Sequence, residues 1–121
     1  IPVYAEMSSV NPTVVLPGAL QANGVAIAEG LAGSITLGVG QFCTNPGLVF
    51  VPQSPALTPF TNALADRIRA SGPATMLNQG ICTHYADGLT QLTGHPDVTL
   101  LAEADTRPDP ARTEGRTAVL R

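Results

Sequence analysis

"GLAGSITLGVGQFCTNPGLVFVP", residues 30–52, runs from the end of a helical pattern through a glycine-rich loop into an apolar run. Ile27, Leu31 and Ile35 recur at i, i+4 and i+8, with Ala and Gly at the remaining inward positions. That spacing predicts a helix from Ala19 to about Leu37. So many small residues imply close packing against neighbours, at a cost in helix propensity. "LVFVP", 48–52, is bounded by Gly47 and Pro52 and has the form of a buried strand. A helix passing through a tight loop into a strand is one unit of an α/β alternation.

Working outward, the same alternation continues. "VYAE", 3–6, reads as a short alternating strand, and "TVVLP", 13–17, as a second one closed by Pro17. Phe60, Leu64 and Ile68 stripe a helix from Thr58 to Ala70 that ends at "SGP". A further helix is predicted from about Asn78 to Leu92, stopping at Gly94, and "DVTLLAE", 97–103, as a strand. "ADTRPDPARTEGR" is a polar, proline-containing loop, and "TAVLR" has the composition of a strand start. Strands alternate with helices and no Asn-Gly hairpin signal joins strands, so the fold class is α/β.

Composition narrows the function classes. Of fifteen charged residues, eight lie between Glu103 and Arg121, leaving the first 102 residues poor in charge for a free-standing surface. The N-terminal "IPVYAEM", opening inside a strand pattern without a methionine, adds to the expectation of a fragment of a larger enzyme or subunit. A net charge of −3, six scattered arginines and no lysine exclude the basic patch that nucleic acid requires. No apolar run is read as approaching the ~20 residues that span a bilayer, and no signal peptide is expected. Cys43 and Cys82 are expected as free thiols of a cytoplasmic protein.

Cys43 admits two readings: a small buried hydrophobe, or a nucleophile held on an irregular loop. Gly38, Gly40, Gly47 and Asn45-Pro46 favour the loop, where successive backbone N–H groups favour a thiolate and hold an oxyanion. Glu6, near the end of a strand, is either a solvated carboxylate or a general base that activates water. "GVGQFC" fails as a dinucleotide fingerprint, because Cys43 takes the place of the third glycine and a helix precedes it. No metal site is expected from Cys43, Cys82, His84 and His95, since Cys82 and His84 are two apart on a helix and point apart. A Cys-His hydrolase pairing Cys43 with His84 or His95 stays open, although "GHPD" reads as an ordinary turn.

Two segments together resemble the aldehyde dehydrogenases. "AEMSSVNPTVVLP", 5–17, resembles the segment carrying that family's glutamate, and "GQFCTNPGLVFVP", 40–52, its Gly-Gln-x-Cys segment followed by a strand. Their order and the helix between them fit too, and the resemblance runs from residue 1 to about 102. The phrasing is most similar to the branch that oxidises 2,5-dioxopentanoate (α-ketoglutarate semialdehyde) with NADP.

The resemblance implies a three-layer open sheet with flanking helices, residues 1–121 forming part of a catalytic domain without its coenzyme-binding domain. It implies that the Cys43 thiolate attacks the aldehyde, that hydride passes to the nicotinamide of NADP (or NAD), and that Glu6 activates the water that hydrolyses the thioester. Met7 would lie near the nicotinamide through its backbone, and Phe42, Thr44 and Asn45 would flank the aldehyde. The parent would be a homo-oligomer acting on a small aldehyde. "SSVN" replaces the family's commoner Gly-Gly, and no Glu-x-Phe-Gly-Pro segment follows Cys43. The 121 residues alone are therefore not expected to bind NADP productively. The rival reading from another class is a non-catalytic α/β remnant or assembly domain.

Overall fold

The computed structural model describes residues 1–4, 10–109 and 111–121. Residues 1–4 carry no regular structure, and the rest of the expected strand over 3–6 lies outside the described residues. The elements run β1 (Pro12–Val14), α1 (Pro17–Thr36), a 3₁₀ turn (Leu37–Gly40), β2 (Leu48–Phe50), α2 (Leu57–Arg69) and β3 (Ala74–Thr75). There follow α3 (Gln79–Thr93), β4 (Leu100–Glu103), β5 (Glu114–Gly115) and β6 (Ala118–Leu120).

The core is a pair of helices. Leu20, Ala28, Leu31 and Ala32 of α1 meet Phe60, Leu64, Ala65 and Ile68 of α2, with Val15 and Ala102 closing the cluster. Ile27 and Ile35 pack at its edge, so the i, i+4, i+8 stripe does face inward. Pro17 opens α1, where its missing N–H costs nothing. Only some of the small residues serve close packing. A Cβ at Gly24 would lie 3.3 Å from Leu20 Cδ1 and 3.9 Å from Phe60 Cβ, whereas Gly30 and Gly33 face open space. Arg67 and Arg69 occupy the last turn of α2, where cations complement the helix dipole.

Three findings correct the sequence reading. First, the α/β alternation holds, but the strands do not join one open sheet. Among the described residues they form three two-stranded ladders: β1–β2 parallel, β3–β5 antiparallel and β4–β6 antiparallel. Strands of two to four residues leave their outer edges open, and "TAVLR" folds back on β4 without a tight hairpin turn. Second, 48–52 is not buried on both faces. Val49 and Val51 pack on the core, while Leu48 and Phe50 stand 51% and 54% exposed on the bare side. Third, Pro17–Gly40 is a 24-residue helical stretch long and apolar enough, by length and composition alone, to cross a membrane. The sequence reading missed it because its apolar residues are diluted by glycine and polar positions. One face of this helix packs on α2, and core helices meet the same criterion.

Candidate active site

The loop after α1 is built on an unusual backbone. Gly38, Val39 and Gly40 take φ of 57°, 58° and 72° in succession. Glycine adopts that region freely, but for a β-branched valine it is strained, by about 1–2 kcal/mol for an L-residue. A Cβ at 38 would also meet the half-exposed Phe42 ring, 2.5 Å from Cε2, so that ring would have to shift. The left-handed run turns the chain sharply and leaves Cys43 exposed at the surface.

Side-chain amides hold this loop. Asn45 Nδ2 donates to the Ile35 carbonyl at 3.0 Å, satisfying an acceptor near the end of α1. Gln41 Nε2 donates to Gly38 O at 3.1 Å, and Gln41 Oε1 accepts from Leu77 N at 2.8 Å, fixing the loop to the chain just after β3. The third clamp comes from the other motif. Asn11 Nδ2 donates to Cys43 O at 2.6 Å and to Asn45 O at 3.2 Å. Directly beyond it, β1 and β2 pair in parallel with Pro12 opposite Leu48, Thr13 opposite Val49 and Val14 opposite Phe50. Asn11-Pro12 and the "CTNPG" stretch therefore lead into one ladder side by side. Sequence reasoning missed Asn11. Its signal was the Asn-Pro step that precedes each of the two strands.

Of the residues expected at the site, Glu6 and Met7 lie outside the described residues. Phe42 is 52% exposed, with its ring over the bare backbone of Gly38. Thr44 is exposed, and Asn45 is half-buried with its amide nitrogen engaged by the Ile35 carbonyl. Cys82 sits half-buried on α3, its Sγ donating to Glu114 O at 3.2 Å, and it does not form a disulfide with Cys43. His95 forms the turn its sequence suggested: Asp97 N–H donates to His95 Nδ1 at 3.2 Å. His84 lines a cavity of about 480 Å3 together with Gln41, Asn45, Tyr85 and Arg116, and Cys43 is not among its lining residues. Among the described residues no group of three or more His, Cys, Asp or Glu side chains is placed to hold a metal ion.

Beside this cavity, Arg116 Nη2 pairs with Glu103 Oε2 at 2.6 Å, Arg116 Nη1 donates to Ala104 O at 3.3 Å, and Tyr85 Oη donates to Arg116 O at 2.8 Å. Burial pushes the Tyr85 phenol above its usual range, and the Glu103 charge adds to this. A backbone hydrogen bond at Ala118 and the Arg116 charge act in the opposite direction. Arg116 is thus already neutralised by its partner.

No protein-family model matches the chain. Curated proteins similar to it include the following two. An "alpha-ketoglutaric semialdehyde dehydrogenase 2" of Azospirillum brasilense is 51% identical over 98 residues, which is 81% of this chain and 19% of that protein. An "alpha-ketoglutaric semialdehyde dehydrogenase" of Acinetobacter baylyi is 48% identical over 92 residues, 76% of this chain and 18% of that protein. The chain spans about a fifth of the length of these relatives. Identity at this level over some four-fifths of its length makes the chain a homologue of the alpha-ketoglutaric semialdehyde dehydrogenases.

Proposed function

We propose that the chain is the nucleophile-bearing part of an enzyme that oxidises α-ketoglutarate semialdehyde to the corresponding acid, with Cys43 as nucleophile and Glu6 as general base. One observation supports this reading: Asn11, from the first of the two segments that resemble the family, donates to the carbonyls of Cys43 and Asn45 in the second. The Cys43 thiolate adds to the aldehyde carbon, forming a C–S bond and a thiohemiacetal oxyanion. Loss of the aldehyde hydrogen as hydride leaves a thioester, and water deprotonated by a carboxylate cleaves it, releasing the acid and the thiolate.

NADP (or NAD) supplies the hydride acceptor when bound. The described residues do not fit as its cradle. The glycine turn follows a helix and leads into a strand, the reverse of a phosphate-binding turn, and Arg116 is spent on Glu103. In this reading the coenzyme is held by other parts of a longer protein. The bare sides of the ladders support that, because Val14, Leu48 and Phe50 form an exposed apolar face that a larger catalytic domain with a continuous open sheet would cover. A small aldehyde substrate, a homo-oligomeric parent and a cytoplasmic location belong to the same proposal.

The test uses the full-length enzyme carrying this segment, with α-ketoglutarate semialdehyde and NADP. Cys43→Ser lowers turnover by about 10³-fold or more, whereas Cys82→Ser leaves it within about threefold. Glu6→Gln retains a stoichiometric burst of reduced coenzyme but blocks steady-state turnover. Full activity in Cys43→Ser would overturn the reading and favour a non-catalytic α/β domain.

A further inference from the structure

We infer that Asn11 is a positioning residue for the nucleophile: its carboxamide, donating to the carbonyls of both Cys43 and Asn45, sets the backbone orientation from which the Cys43 thiol attacks. The inference rests on the reading of Cys43 as nucleophile. The two N–H groups of one carboxamide nitrogen each have their own acceptor, Cys43 O at 2.6 Å and Asn45 O at 3.2 Å. A peptide unit is planar, so fixing the Cys43 carbonyl fixes the whole Cys43–Thr44 peptide plane and with it ψ of Cys43. The second bond fixes the Asn45 carbonyl, and Asn45 in turn holds Ile35 O through its own side chain.

The clamp is needed because of how the loop is built. The three residues at positive φ make the turn that presents Cys43, and among them Val39 holds a strained conformation. A strained turn relaxes unless something outside it holds its far end. Gln41 does this at the start of the reactive stretch, through Gly38 O and Leu77 N, and Asn11 does it at Cys43 itself. Asn11 lies 32 residues away in sequence, at the head of β1, so its position is fixed by the β1–β2 ladder rather than by the loop. It also lies five residues after Glu6, in the segment expected to carry the base.

Asn11→Asp is the isosteric test: it keeps the shape, removes both donors and sets carboxylate oxygens against two carbonyl oxygens. In the full-length enzyme, kcat is expected to fall about a hundredfold, with KM for NADP changed less than about threefold. In the folded protein, the rate of Cys43 alkylation by iodoacetamide relative to Cys82 falls roughly tenfold. Asn11→Gln keeps the carboxamide donors on a side chain one methylene longer and recovers part of both losses, to within about tenfold of wild-type kcat, and it decides alone if Asn11→Asp does not fold. A lowered melting temperature with kcat and the labelling ratio within about twofold of wild type would overturn the inference and leave Asn11 a stability staple. If the wild-type enzyme shows no dehydrogenase turnover, the proposed function fails, and the labelling ratio alone still decides the role of Asn11.

Discussion

The two cysteines sit in regions built on opposite principles. Cys43 lies on an irregular, exposed loop that hangs from the end of α1, one of the two helices that form the core, and amide side chains from distant positions hold it in shape. Cys82 lies on a regular helix, capped by Asn78 accepting from Ile81 N at 2.9 Å, and its thiol donates to a neighbouring carbonyl. Yet α3 contributes no buried residue, whereas α1 and α2 contribute four each. The irregular region is anchored to the best-packed part of the molecule, and the regular one is not. A reactive group on a loop needs a rigid support nearby, while a helix satisfies its own backbone and needs little.

Breaking the support is the harshest test of this contrast. Phe60 is 2% exposed at the centre of the α1–α2 contact, so Phe60→Ala should cost about 3–5 kcal/mol in denaturant unfolding. Leu92→Ala on α3, where the side chain is exposed, should cost less than about 0.5 kcal/mol. Equal losses would mean that α3 shares the core after all.

A smaller effect is expected from Gly38→Ala. Its left-handed backbone and the Phe42 ring in the way of a Cβ predict a loss of about 1–3 kcal/mol. Alkylation of Cys43 should change while that of Cys82 does not, which sharpens the distinction between the two regions. A change at Cys82 instead would show that the two regions are coupled.

The smallest effect concerns the Tyr85–Arg116 contact near Cys82. The folded state raises the Tyr85 phenol above its ordinary value of 10.0, so the unfolded chain loses this proton first as pH rises. The stabilising contribution is whole below pH 10 and is lost as pH climbs through the folded value. Tyr85→Phe should lower stability at neutral pH by about 1 kcal/mol through the lost hydrogen bond and flatten the fall above pH 10. An unchanged alkaline limb in thermal melts would remove Tyr85 from that role.

Much of the architecture was legible because local periodicity carried it. The Phe60, Leu64, Ile68 stripe and the Ile27, Leu31, Ile35 stripe both face inward, since residues three to four apart share one side of a helix. "LVFVP" was misread because an apolar run states that a strand tolerates burial, not that both of its faces receive a partner. The open sheet was misjudged for a related reason: strand pairing depends on edges that meet in space, and these strands are too short to signal their partners. At the candidate site, the glycines around Cys43 announced a tight loop. Val39 at positive φ was invisible, because valine is the residue least expected there.

By itself the sequence determined the helices, the α/β alternation, the exposed glycine loop and the pair of segments whose wording matches the semialdehyde dehydrogenases. These are properties of neighbouring residues, and neighbouring residues are what a sequence records. Only the tertiary structure decided that Asn11 reaches across 32 residues to hold the Cys43 and Asn45 carbonyls, and that β1 and β2 run side by side. An asparagine side chain pairs with whatever carbonyl the fold brings within about 3 Å, and no local pattern of residues encodes that meeting.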